Sequence, residues 1–158
     1  MGTTTALRRE IKSRFVPHVE QDGFRLDERE APTFWIFRRA TDNAAQVFSI
    51  QWEKYGRPRF RLDFGSCPIE GLTFRGEHFD WSNMHPHWLQ DVSTLKPSSG
   101  FFTGTWFRQD RGLLSRLFAG SLRPPSEVVD DLLALYSEVE TYWRSRSVGK
   151  HIRQWPRR

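Results

Sequence analysis

The chain has 158 residues, 37% hydrophobic and 27% charged, with a formal net charge of +5. Its seven Trp and thirteen Phe exclude a disordered chain, which is poor in large apolar groups, and a chain of this length buries enough surface to fold without staples. No apolar run approaches the roughly 20 residues of a membrane span, the N-terminal segment lacks the apolar stretch of a secretory signal, and the lone cysteine, Cys67, excludes an internal disulfide. These bounds predict a cytoplasmic protein with one domain over residues 1–145, an irregular excursion at 67–100 and a basic C-terminal extension at 146–158.

The first element reads as a helix, because Leu7, Ile11, Phe15 and Val19 recur every four residues as one apolar stripe. Pro17 lies inside that stripe and is expected to kink or weaken the helix. Asp22-Gly23 is expected to close it, with glycine just past the last turn. The period then changes. Phe24 and Leu26 alternate with Arg25 and Asp27, Thr33–Arg39 is rich in β-prone residues, and Phe48, Ile50 and Trp52 alternate with Ser49, Gln51 and Glu53. Phe60, Leu62 and Phe64 alternate with Arg59, Arg61 and Asp63. Turn residues separate these runs at hairpin spacing, which predicts an antiparallel meander of about four strands with one apolar face.

Residues 67–100 show no clean period and carry three of the five histidines. A short strand at Leu72–Phe74 and a short helix near Trp88 are expected there, and a segment this long inside a compact domain is often functional. Phe101–Arg108 reads as one more strand, and Gly112–Ala119 as a short helix or packed loop. The last element is the clearest. Val128, Val129, Leu132, Leu135, Tyr136, Val139, Tyr142 and Trp143 form a helical stripe, preceded by Pro124 and Pro125 and capped in expectation by Ser126. The whole is an α+β fold: an antiparallel sheet of about five strands, with N-terminal and C-terminal helices packed on one face.

The opening helix ending at Gly23-Phe24, the strand with Phe37-Arg38, the runs Phe48–Gln51 and Phe60–Gly65, the late Trp106 and the closing helix resemble the bacterial domain of unknown function 4304 family. The resemblance covers the flanks of the chain and leaves 67–100 unaccounted for. It implies an α+β fold and brings no catalytic residues.

The charge is uneven. Arg144, Arg146, Lys150, Arg153, Arg157 and Arg158 face no acid after Thr141, which leaves residues 1–140 with eighteen cations and nineteen acids. This tail reads either as a phosphate-binding segment or as the solvated end of a helix, where cations are favoured. In the excursion, Cys67, Glu77, His78, Asp80, His85 and His87 are ligand types for a transition metal, yet no spacing matches a zinc signature. The metal alternative rests on His78, Asp80, His85 and His87, as a hydrolase centre. No nucleophile elbow, phosphate-cradling glycine loop or H-E-x-x-H motif is present, and no cofactor is expected.

Trp is seldom fully buried, so seven of them exceed what one core hides, and Trp and Arg anchor interfaces. The expected function is therefore a non-catalytic, partner-binding or immunity-type protein that uses Trp35, Arg59, Arg61, Trp106 and Trp155. The partner is another protein; self-association is open, and a membrane is not expected. The alternatives are a nucleic-acid-associated protein working through the tail, and the metal-dependent hydrolase.

Overall fold

The computed structural model describes residues 3–100, 103–111, 117 and 122–156. The chain opens with α1 (Thr3–Glu10), a π-helical turn (Ile11–Phe15) and α2 (Val16–Gln21). The wide turn has two causes in the sequence. Apolar residues every four positions drift by about 40° per step on an ordinary helix, and the wider turn brings Leu7, Ile11, Phe15 and Val19 back onto one side, where all four are fully buried. Pro17 follows directly, offers no N–H and crowds the carbonyl four residues before it, while the Val16 N–H bonds to the Ile11 carbonyl. The expected kink is thus absorbed as one wide turn. Gly23, at φ 93°, closes α2 in a conformation that glycine adopts without penalty.

The sheet begins with a meander of β1 (Arg25–Asp27), β2 (Phe34–Ala40), β3 (Ala44–Trp52) and β4 (Arg59–Pro68). The excursion forms a separate hairpin, β5 (Leu72–Phe74) with β6 (Glu77–Phe79), followed by β7 (Ser93–Leu95). Then come β8 (Phe107–Arg108), the long helix α3 (Pro125–Ser145) and β9 (Ile152–Gln154). The main sheet has seven strands in the order β1-β2-β3-β4-β7-β9, with β8 also paired to β4, and every pairing is antiparallel. The two strands beyond the expected five, β7 and β9, are each three residues long, too short for alternation to reveal.

Helices cover one face of the sheet. Phe37 and Phe48 stack at 4.4 Å, and Phe15 meets both edge-on together with Tyr136 of α3. Phe60, Leu62, Phe64 and Leu95 continue this inner core under α3. Ile36, Ala45, Val47 and Cys67 point to the opposite, outer face, where Met84 and Leu89 of the excursion bury them. Gly65 permits that close cover, because a Cβ there would meet the Leu89 side chain at 2.8 Å and Asp91 at 2.7 Å.

Three details differ from expectation. α3 starts at Pro125 after Pro124, with no side-chain cap, so Ser126 lies inside the first turn. The segment near Trp88 is a single 3-10 turn, Pro86–Trp88. Only Phe107–Arg108 of the late strand pairs, with Phe101 and Phe102 outside the described residues, as is the 112–119 segment except for Leu117. Among the described residues no helix is long and apolar enough to cross a membrane.

Candidate functional site: the open half of the outer face

The excursion covers the outer face over β2, β3 and the Gly65–Cys67 end of β4, and leaves the other half open. Strand alternation sets what that half presents. On β4, Phe60, Leu62 and Phe64 point inward, so Arg59, Arg61 and Asp63 point outward. Register places Arg108 of β8 beside Arg59, Thr94 of β7 beside Asp63, and Arg153 of β9 beside Thr94. The outward positions of these four short stretches therefore hold four arginines and one aspartate.

Asp63 is the centre of the array and is 1% exposed. One carboxylate oxygen accepts from the Thr94 hydroxyl. The other accepts from Arg61 Nε at 3.0 Å and faces His87 Nε2 at 2.9 Å. Burial alone would raise the pKa of this group, but the His87 hydrogen bond, the Arg61 charge and the Thr94 hydroxyl outweigh it and hold Asp63 below the usual carboxylate range. An ionised carboxylate only accepts, so the His87 Nε2 carries the proton in that contact. The network extends outward at both ends. Arg61 donates to Gln51 Oε1 at 2.9 Å, and the Trp155 indole donates to Thr94 Oγ1 at 2.8 Å.

Two tryptophans frame the arginines. Arg59 and Arg61 lie 5.7 and 5.9 Å from the Trp106 ring, and Arg153 lies 4.4 Å from Trp155. Such contacts are worth about 0.5–1 kcal/mol each on a surface and favour keeping the guanidinium groups beside the rings. Among the described residues the Arg59 Nε has no hydrogen-bond partner. Beside Trp106 a cleft of about 340 Å³ opens between Arg108 and Arg123, and beside Trp155 a groove of about 510 Å³ runs past Gln154 and Tyr142.

The histidine pair joins this half to the excursion. His85 Nδ1 accepts from the His87 backbone N–H at 3.2 Å, the two rings lie 4.7 Å apart, and Phe34 meets both edge-on. Burial pushes His85 down to about 4, helped by the charges of His87 and Arg38 and opposed by Asp63, so it is a neutral ring at ordinary pH. Arg38, also buried, donates to the Met84 carbonyl at 2.8 Å and to Asp27 at 2.6 Å. It pins the excursion to the sheet.

The sequence-predicted site residues separate accordingly. Arg59, Arg61, Trp106 and Trp155 come together on the open half. Trp35 does not. It sits on the inner face, 3% exposed, edge-on to Trp52 under Arg8 and Lys12, because its position on β2 shares a face with Phe37. The metal alternative is not supported by geometry: among the described residues no three His, Cys, Asp or Glu side chains converge. His78 faces Thr73 across the β5–β6 hairpin, Asp80 caps its own turn through the Ser82 N–H, and only His85 and His87 adjoin. The Cys67 thiol is pushed up to about 11 by burial and the neighbouring Asp91, which suits a core side chain.

The expected basic extension is part of the domain. Ile152 is buried, β9 pairs with β7, and Trp155 bonds to Thr94. Its cations are dispersed: Arg146 pairs with Asp91 at 2.9 Å and covers Tyr142, Arg153 joins the outer face, Arg144 and Lys150 are exposed, and Arg157 and Arg158 lie outside the described residues. Sequence reasoning missed Arg108, Thr94 and the participation of Arg153. Each sits on a two- or three-residue strand, and register alone brings Thr94 and Arg108 to β4 and Arg153 to Thr94. No family model, curated protein or solved structure matches the chain.

Proposed function

We propose that this is a non-catalytic, cytoplasmic protein that binds an acidic protein partner on the open half of its outer sheet face. The carrying observation is the charge of that face. Arg59, Arg61, Arg108 and Arg153 share it with Asp63, which is buried and already engaged by Arg61, His87 and Thr94, and with Asp110, 3.9 Å from Arg108 Nε. Arginine held beside tryptophan is pre-organised for carboxylates and loses less freedom on binding. Trp and Arg in this arrangement are the residue types that dominate interface energetics, and complementary charge sets encounter rate and orientation.

The nucleic-acid reading is the second one, with the tail as its seat. It is less favoured because, among the described tail cations, Arg146 is paired with Asp91 and Arg153 lies beside Trp155 on the outer face, whereas phosphate binding draws its strength from several cations acting together. Affinity capture from cells of the source organism distinguishes the two. Wild-type protein runs beside Arg59→Glu and beside a tail variant carrying Arg144→Glu and Lys150→Glu, each with and without nuclease. A nuclease-resistant protein of net negative charge, held by wild type and the tail variant and lost from Arg59→Glu, is the expected result. Equal retention by Arg59→Glu contradicts the proposal. Recovery that needs the tail and vanishes with nuclease transfers the function to nucleic acid.

A further inference from the structure

The open half does not end at Asp63. His87 is exposed, and so is the next residue, Trp88. Trp88 is 36% exposed and Phe74, at the end of β5, is 43% exposed. Their rings run parallel at 6.5 Å, Phe79 packs against Trp88 at 4.7 Å, and His85 lies 6.0 Å from the same indole. A tight turn at Arg75-Gly76, both at positive φ, holds this shelf outward, with Arg75 laid 5.4 Å from the Phe74 ring. Contacts therefore run without a break from the shelf through His85 and His87 to Asp63, Arg61 and Trp106.

The shelf has no evident structural task. The buried cluster beneath the excursion consists of Ile36, Ala45, Val47, Cys67, Met84 and Leu89, and Phe74 lies outside it. A solvated hairpin gains nothing from a large exposed ring, and contiguous apolar surface beside polar groups marks an interaction site. Its neighbour on the same face is the arginine array.

We infer that the face is read in two parts, and this inference rests on the acidic-partner reading above. The occupant is a protein segment that combines carboxylates with a large apolar side chain. Carboxylates lie on Arg59 and Arg61, the apolar side chain lies on Phe74 and Trp88, and His87 forms the seam. The acidic half is required by charge complementarity with the four arginines. The apolar half follows from the shelf, which offers a carboxylate nothing.

Fluorescence anisotropy on the full chain tests this with three labelled probes of equal net charge: a Glu/Asp peptide containing Trp and Leu, a Glu/Asp peptide with only Ser and Gly between the acids, and oligouridylate. The mixed peptide is expected to bind about tenfold more tightly than the all-polar one, the effect of burying one large apolar side chain. Phe74→Ser should abolish that difference and leave the all-polar peptide unchanged. Arg59→Glu should weaken both peptides. Thermal unfolding of each variant verifies that it is folded; Phe74 is exposed and Arg59 half-buried. Equal affinity for the two peptides overturns the two-part inference and leaves the acidic face standing. Peptide binding no stronger than that of Arg59→Glu overturns the acidic-partner reading itself. Tightest binding of oligouridylate overturns both in favour of nucleic acid.

Discussion

The two faces of the sheet are built from the same strands and solve different problems. The inner face is aromatic and closed: Phe37, Phe48, Phe60 and Phe64 lie beneath α1, α2 and α3 and are fully buried. The outer face is divided. Over β2, β3 and the Gly65–Cys67 end of β4 it is apolar and covered by the excursion, whereas over the Arg59–Asp63 end of β4 and over β7, β8 and β9 it is charged, framed by tryptophans and open. Stability therefore resides mainly on the inner face, and the outer face carries the proposed recognition site, with Asp63, His85 and His87 at the boundary between them.

Substituting the same residue type on the two faces should expose this division most strongly. Phe48→Ala removes a ring packed against Phe15, Phe24, Phe37 and Tyr136 and should cost about 3–5 kcal/mol in urea unfolding. Phe74→Ala should stay within about 0.5 kcal/mol of wild type, as surface changes do. A large loss from Phe74→Ala would make the shelf structural and break the comparison.

At the boundary, Asp63→Ala leaves Arg61, His87 and Thr94 without their shared acceptor. A cost of about 2–3 kcal/mol is expected, below the full penalty of a broken buried pair because Arg61 and His87 can turn to solvent. The same unfolding measurement checks it, and a neutral result would show that the network does not hold the seam together.

The pH dependence sharpens the point. His85 is neutral when folded and resists protonation, with its value pushed down to about 4 by burial. Unfolded histidine titrates near 6.5, so below that pH the unfolded chain binds the extra proton. Stability should be level above about 6.5, fall as pH drops towards 4, and lose up to about 3 kcal/mol over that window. His85→Leu should flatten the window. Asp63, held below its ordinary range, has the same sign but acts lower, as pH falls through the carboxylate region. The smallest effect belongs to the open half: Arg59→Ala should change stability by less than about 0.5 kcal/mol while weakening binding to acidic peptides in the anisotropy experiment.

Periodicity made the inner face legible. The four-residue stripe, the strand alternation and the closing helix each repeat often enough to declare a buried side. Alternation also placed Arg59, Arg61 and Asp63 outward together, because β4 is ten residues long. The same rule could not place Trp35, since β2 is buried on both faces through Trp35, Ile36 and Phe37 and neither face reads as polar. The site was only half visible for another reason. Thr94, Arg108 and Arg153 reach it through strands of two or three residues, whose partners are set by tertiary packing of α3 and the excursion. The tail looked free because basic composition resembles a solvated end, whereas Ile152 and Trp155 anchor it.

The tryptophans themselves offer the most direct test. Each indole N–H gives its own signal in a proton–nitrogen NMR spectrum, and the seven are distributed between the two faces. On titration with the acidic peptide that carries Trp and Leu, the signals of Trp88, Trp106 and Trp155 should shift, while those of Trp35, Trp52 and Trp143, buried on the helix side, should stay in place. Shifts confined to the buried three, or no shift in any of them at saturating peptide, would contradict the assignment of recognition to the open outer face.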